Sequence, residues 1–327
     1  MSGAVAVIGG GAWGTALAAL QARAGRPTRL YARDRATVAE INEHRRNSRY
    51  LPEIALPESL RATSDLGHAL AGAQIVLVVT PAQTLQAVLP ELAESSGERV
   101  PFVLCAKGIE RETGCFASQI AARHVSPERI AVLSGPSFAA DVAGGLPTAV
   151  TLAHPHAETA DALGRELSTE TFRIYASTDI LGVEAGGALK NVLAIAAGIV
   201  AGRGLGASAG AAIVTRGLSE LARVGEALGA RPETLVGLSG LGDLVLTCSG
   251  PQSRNFAYGL ALGRGDDLSR LKLAEGVFTA GVAARIAEDR NIDAPLIRTV
   301  AAILSGGLSV DDAQLLLLSR PLKRETD

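Results

Sequence analysis

Of the 31 basic residues in this sequence only four are lysines, Lys107, Lys190, Lys272 and Lys323, so the chain uses arginine wherever a fixed positive charge suffices. A lysine can do what arginine cannot, which is to lose and regain a proton near neutral pH once it is desolvated. Lys190 lies in the stretch 181–202, LGVEAGGALKNVLAIAAGIVAG, which has no strand alternation and no polar side chain from 192 to 201. Such a stretch reads as a helix apolar on every face and therefore buried. An ammonium taken into those surroundings loses hydration worth roughly several kcal/mol unless a partner compensates. The chemistry this suggests is proton transfer to or from a reacting oxygen, with a structural ion pair to Glu184 as the plain alternative. Lys107 follows the apolar run 102–106, and Asp243 lies among glycines and apolar residues in a loop, GLSGLGDLVLTCSGPQSRN, where it needs a partner that Lys190 could supply.

A second chemistry is anion binding. The apolar run 5–8 leads straight into GGGAWGTALAALQARAG, in which Gly9, Gly11 and Gly14 fit G-x-G-x-x-G between a strand and a helix. Gly9 permits the tight turn, Gly11 lets the backbone approach a pyrophosphate, and Gly14 lets the helix pack closely, while the helix start offers free N–H groups. A second strand at 28–32 closes the unit, which makes the motif a dinucleotide site. At the end of that strand Arg33 stands where an acidic residue would hold the ribose hydroxyls of NAD, so NADP(H) is favoured, and Asp34 one position later leaves NAD(H) open as well. Two further anion sites suggest themselves. SGPSFAADVA places Ser134, Gly135 and Ser137 after the run 130–133, with helix capping by Ser137 as the alternative. Ser253-Arg254-Asn255 sets a guanidinium and an amide at a helix start, equipment suited to a phosphate.

These residues must be positioned by a scaffold. Short apolar runs at 74–79, 102–106, 130–133, 148–152 and 172–175 alternate with helical patterns such as 81–93 and 116–124, which predicts a mainly parallel, doubly wound sheet. Ligands then bind beyond the carboxyl ends of the strands. After Leu181 strand signals stop and helical periods run to Leu318, with a second long helix at 207–225 and a helix start at Glu275. The expected fold class is α/β, an N-terminal Rossmann-type domain over 1–180 followed by an all-α substrate-binding domain over 181–327. No Pro/Ser-rich or charged linker separates them, so the two halves should pack directly. The segment 47–57, with Tyr50-Leu51-Pro52, could cover the cofactor or merely connect elements.

Composition narrows the function classes. With 327 residues, a net charge of −2 and a pI near 6.3, the chain offers no basic field for nucleic acid or anionic lipid. The helix around Lys190 is long enough to span a bilayer, but its five glycines together with Glu184, Lys190 and Asn191 argue against a membrane span. The N-terminus MSGAVAVIGG lacks a charged region and a cleavage site, so no export signal is expected. Three cysteines without a C-x-x-C pair point to free thiols in a reducing cytoplasm, and the scattered histidines give no metal site.

GGGAWGTALA, RYLP, AKGIE, SGPSFA, GVEAGGALKNVLAIAAG, TRGL, GLSGLGDLVLTC and SRN, in this order over nearly the whole chain, together resemble the NAD(P)-dependent glycerol-3-phosphate dehydrogenases of the bacterial biosynthetic type. The resemblance implies a cytoplasmic homodimer that reduces dihydroxyacetone phosphate to sn-glycerol 3-phosphate with NAD(P)H, for glycerophospholipid biosynthesis. It implies that Lys190 accepts the proton in alcohol oxidation and donates it in reduction, with Lys107 and Asp243 completing the catalytic set. Substrate contacts fall to Lys107, Gly135, Ser137, Asp243, Ser253, Arg254 and Asn255, and Asn191 beside Lys190 joins them. Nucleotide contacts fall to Trp13, Arg33, Tyr50, Lys107, Ala139, Arg254, Leu273 and Glu275, together with Gly9, Gly11, Ala12 and Gly14 of the turn. The sequence departs from the family pattern at Ala12, where serine is common, at Asp141, where glutamate is common, and over 204–212, where an asparagine and a basic residue are replaced by Ser208, Ala209 and Gly210. Two other readings share the architecture. One is a catalytically silent NADPH-binding sensor, which has no reason to keep both Lys107 and Lys190. The other is a 3-hydroxy-acid dehydrogenase, whose substrate carries a carboxylate in place of a phosphate.

Overall fold

A computed structural model describes residues 3–271, 274–321 and 324. In the first half strands and helices alternate: β1 (Val5–Ile8), α1 (Ala12–Arg23), β2 (Thr28–Tyr31), α2 (Arg35–His44), β3 (Arg61–Thr63), α3 (Leu66–Leu70), β4 (Ile75–Val78), α4 (Leu85–Ser95), β5 (Phe102–Leu104), α5 (Ala117–Ala121), β6 (Ile130–Ser134), α6 (Ala139–Ala143), β7 (Thr148–Ala153), α7 (Ala157–Leu167) and β8 (Phe172–Ser177). The strands form one sheet in the order β3, β2, β1, β4, β5, β6, β7, β8. Every neighbouring pair is parallel except β6 and β7.

The strands look continuously apolar in sequence because helices cover both faces of the sheet and alternate residues enter different cores. Val5, Val7, Ile75, Leu77 and Val103 pack with Leu17 and Leu20 on one face. Ala6, Ile8, Val76, Val78, Phe102 and Leu104 pack with Leu85, Leu89 and Ile120 on the other. β3 has no counterpart among the predicted runs. It is a three-residue edge strand, Arg-Ala-Thr, with only Ala62 buried, so it carries no hydrophobic signal and is held by its pairing with β2.

From residue 180 the described structure is helical: α8 (Ile180–Gly202), α9 (Gly206–Ala227), α10 (Pro232–Leu235), α11 (Asp243–Cys248), α12 (Arg254–Arg264), α13 (Glu275–Asp289), α14 (Pro295–Leu304) and α15 (Val310–Leu318). The fold is thus a doubly wound Rossmann-type unit followed by a helical one. α8 starts where Asp179 accepts a hydrogen bond from the N–H of Gly182 at 2.9 Å, and it is buried from Gly182 to Ile199. It is the one helix among the described residues long and apolar enough to cross a membrane, and it is covered on all sides by the chain itself. α12 crosses it at glycine contacts. A methyl group on Gly198 or Gly202 would overlap the carbonyls of Phe256 or Leu260, and one on Gly259 or Gly263 would meet those of Ile195 or Ile199. The helical core also takes in Ile109 and Phe116 from the first half, and Val183 of α8 belongs to the core under the sheet. The two halves therefore pack directly.

The segment expected to be a loop around Asp243 is instead helical, a π turn over Leu238–Gly242 running into α11. Its glycines suggested a loop because each costs a helix about 1 kcal/mol relative to alanine. Packing overrides that preference: a side chain on Gly240 would overlap the Leu235 carbonyl, and Gly186 of α8 leaves room for the Ser239 carbonyl.

Candidate active site

At the nucleotide end the backbone does most of the building. Gly9 has φ of 129° and places its missing side chain against the Val79 carbonyl, a conformation and a closeness that suit only glycine. A methyl group on Gly14 would overlap the Gly9 carbonyl, so α1 can follow the turn this tightly only with glycine there. Gly11 faces open space, and as the α1 N-cap it supplies no side-chain acceptor, which leaves the first N–H groups of a twelve-residue helix free for an anion. Trp13 Nε1 and Thr80 Oγ1 are buried beside this turn without a hydrogen-bond partner among the described residues. Ala12, Trp13 and Ala139 pack on the same core. Free helix N–H groups, open space over Gly11 and unpartnered donors fit a dinucleotide. Arg33 is exposed after β2, and Asp34 is committed to capping α2, accepting from Ala36 N at 3.1 Å and Thr37 Oγ1 at 2.8 Å. Tyr50 is exposed, and Leu273 lies outside the described residues.

The second cluster, around Asp243, is made of side chains from distant elements. Asp243, almost fully buried at the start of α11, bridges two ammoniums: Lys190 Nζ donates to its Oδ1 at 2.7 Å and Lys107 Nζ to its Oδ2 at 2.8 Å. Lys190 also donates to Thr247 Oγ1 at 2.5 Å, and Lys107 to the Gly135 carbonyl at 2.8 Å. Burial lowers the Lys190 pKa to about 8, with Asp243 pulling it up and the Lys107 charge pushing it down. Lys190 is therefore a group that gives up a proton far more readily than an exposed lysine. Glu184 is not its partner. That carboxylate accepts from Ser118 N at 2.8 Å and from Ser118 Oγ at the start of α5, and burial raises its pKa to about 7.

A chain of amides fixes the surrounding residues. Asn191 Nδ2 donates to the Lys107 carbonyl at 2.9 Å, Asn255 Nδ2 donates to Asn191 Oδ1 at 2.9 Å, and Asn255 Oδ1 accepts from Gly276 N at 2.9 Å. This couples the β5 end, α8, α12 and α13. Ser253 caps α12 through Phe256 N at 3.3 Å, leaving Arg254 in the first turn. Burial raises the Glu275 pKa and the Arg254 charge opposes it, while Glu275 Oε2 is unpartnered beside Gly108. Ser137 does not cap α6, because its Oγ donates to the Gly135 carbonyl at 3.0 Å. Sequence reasoning missed Thr247 and Asn47. Thr247 lies four residues beyond Asp243, a spacing that places both on one helix face once α11 is known to be a helix. Asn47 is fully buried and donates to the Gly10 carbonyl at 3.1 Å and Thr15 Oγ1 at 2.8 Å, which ties the Tyr50 loop to the glycine turn.

The chain as a whole is similar to known proteins along nearly its full length. The model of the NAD-dependent glycerol-3-phosphate dehydrogenase N-terminus matches residues 4–160, and that of the C-terminus matches 179–314. The chain belongs to this family. A glycerol-3-phosphate dehydrogenase [NAD(P)+] of Brucella canis is 57% identical over 325 residues, covering 99% of this chain and 100% of its own length. A relative of the same name from Chelativorans sp. is 58% identical over 322 residues, 98% of each chain. Among solved structures, the glycerol-3-phosphate dehydrogenase of Coxiella burnetii superposes with a TM-score of 0.91 at 37% identity, over 98% of this chain and 99% of that one. A ketopantoate reductase from Ralstonia eutropha, with a TM-score of 0.61 and 17% identity over 95% of this chain and 99% of its own, shares the fold alone.

Proposed function

We propose that this family member reduces dihydroxyacetone phosphate to sn-glycerol 3-phosphate, with NADP(H) preferred and NAD(H) accepted, and that it does so as a cytoplasmic homodimer feeding glycerophospholipid biosynthesis. The observation that carries the reading is the bridged pair, Lys190 and Lys107 on one buried Asp243, beside the amide chain that leads to Arg254. In this reading residues 1–180 bind the nucleotide and 181–327 bind the substrate. The turn at Gly9, Gly11, Ala12, Trp13 and Gly14 holds the pyrophosphate, Arg33 and Tyr50 hold the adenosine end, and Ala139, Arg254 and Glu275 complete the cleft. When bound, the reduced nicotinamide supplies the hydride for the carbonyl carbon.

The protein's own residues handle the charge that develops on the carbonyl oxygen. Lys190 stabilises it as an ammonium and then donates the proton, and Asp243 keeps the ammonium oriented through a 2.7 Å hydrogen bond. Lys107, held by Asp243 and the Gly135 carbonyl, adds a second positive charge close by. Arg254 and the α12 start, with Ser253 and Asn255, take the phosphate. Gly135, whose carbonyl holds Lys107, and Ser137, which donates to the same carbonyl, complete the substrate contacts in this reading.

The test is oxidation of NADPH followed after addition of dihydroxyacetone phosphate. Turnover with this substrate, and none with 3-oxo acids of similar size, is the expected result. Preference for a 3-oxo acid would replace the phosphate reading with the carboxylate one, and nucleotide binding without turnover of any ketone would make the protein a sensor. Sedimentation of the full chain checks the dimer.

A further inference from the structure

The nucleotide end contains a cation that the assignments above leave unused. The segment after α2 is pinned on both sides of Arg49. Asn47 is tied to the glycine turn through Gly10 and Thr15, the backbone N–H of Ser48 donates to both oxygens of Glu40 at 3.2 Å, and Leu51 is buried with its N–H on the Asn47 carbonyl at 2.8 Å. Arg49 thus projects from a fixed backbone. Its guanidinium lies 5.4 Å from the centre of the Tyr50 ring, and its positive charge reaches Asp34, contributing to the lowered pKa of that carboxyl behind the larger effects of Thr37 and Ala36. It is exposed, and among the described residues no ion pair or hydrogen bond of its side chain is seen. The Asp34 carboxylate is occupied as the α2 cap, and Gly10 stands against Ala32, so the end of β2 lies beside the turn. Arg33 and Arg49 therefore approach the same corner, at the first turn of the ten-residue helix α2.

We propose that Arg49 is a specificity-determining residue, a second guanidinium that reads the 2′-phosphate of NADP(H) together with Arg33. This rests on the reading of the site as NADP(H)-preferring. One arginine after the second strand suffices to accommodate a 2′-phosphate, whereas two can engage three phosphate oxygens from two directions and make bidentate contacts. Stacking over Tyr50 holds the second guanidinium in place at small entropic cost.

The test is titration of the full chain with NADPH, NADH, 2′,5′-ADP and 5′-AMP, read by quenching of Trp13, the sole tryptophan. In wild type, 2′,5′-ADP should bind more tightly than 5′-AMP, and equal binding would sink the NADP(H) reading itself. With that preference present, Arg49→Ala should weaken NADPH and 2′,5′-ADP by roughly tenfold or more, leave NADH and 5′-AMP within about twofold, and reduce the salt dependence of NADPH binding. Arg49→Lys should retain part of the preference, since it keeps the charge without the fork. If Arg49→Ala keeps the full preference, Arg33 alone reads the phosphate and the proposal fails. If NADPH and NADH weaken equally, Arg49 serves the loop or the pyrophosphate, and the proposal also fails.

Discussion

The glycine turn and the lysine cluster are built on opposite plans. The turn is local: six consecutive residues, Gly9 to Gly14, shaped by backbone conformation and the absence of side chains. The cluster is assembled across the chain, with 136 positions separating Lys107 from Asp243 and 53 separating Lys190 from Asp243. A site made of backbone is robust to distant change and sensitive to a single methyl group. A site made of converging side chains depends on every element that delivers one, and in return its groups can be tuned in charge by one another.

The largest effect that would sharpen this contrast is expected from Lys190→Arg. The positive charge stays but the transferable proton and the fit go, so turnover should drop by roughly 10² to 10⁴ while nucleotide affinity hardly changes. Retention of most turnover would reduce Lys190 to a fixed charge. In the wild type the pKa near 8 also sets the sign of the pH dependence. The reducing rate, which needs the ammonium, should fall as pH rises through about 8, and the oxidising rate, which needs the free amine, should rise through the same point.

Next in size is Gly14→Ala. The added methyl overlaps the Gly9 carbonyl and must displace turn or helix, so NADPH and NADH should weaken together by on the order of a hundredfold in a chain whose circular dichroism is unchanged. Unchanged affinity would show that the turn tolerates widening and that its backbone geometry is not critical. Arg33→Ala should cost NADPH roughly ten- to a hundredfold and NADH little, measured by the same titration, and equal loss of both would remove Arg33 from 2′-phosphate recognition.

The smallest effect on either end is expected at Glu220, which is buried away from both. It accepts from Leu296 N at 2.8 Å and Ile297 N at 3.0 Å, capping α14 from α9, and burial raises its pKa to about 7. A carboxyl whose folded pKa lies above its unfolded value of 4.5 favours folding most below pH 4.5, and that contribution is lost as pH rises through about 7. Glu220→Gln should therefore flatten the denaturant stability curve between pH 4.5 and 7 relative to wild type, by on the order of 1 to 3 kcal/mol, with both ligand affinities intact. Parallel curves would show that Glu220 does not change protonation on folding.

What could be read from the sequence follows the same division. The glycine turn and seven of the eight strands were visible, because spacing and apolar runs record local geometry and burial on both faces. β3 was invisible, since Arg-Ala-Thr is specified only by pairing with β2. Lys190 and Lys107 stood out through lysine scarcity, and Asp243 through its apolar neighbours, so the pairing of Lys190 with Asp243 was expected, whereas the second contact, from Lys107, emerged only from the fold. The helical state of 238–248 was not, because glycine contacts with Leu235 and Gly186 outweigh propensity there, and Thr247 was lost with it. Asn47 carries no signal of its own type, and its role arises from where the chain folds back onto Gly10.

The long separation between Lys107 and Asp243 also bears on how the protein is born. A ribosome adds roughly 5–20 residues per second, so on the order of ten seconds pass between the emergence of the lysine and that of its carboxylate. During that interval the Rossmann-type unit can close its own sheet, yet α8 exists without α11 and α12, with an apolar surface on all sides and the Lys190 ammonium unpaired. The most buried helix of the finished protein is thus the most exposed segment of the nascent one, and chaperone engagement during synthesis should concentrate between the emergence of residue 202 and that of residue 264.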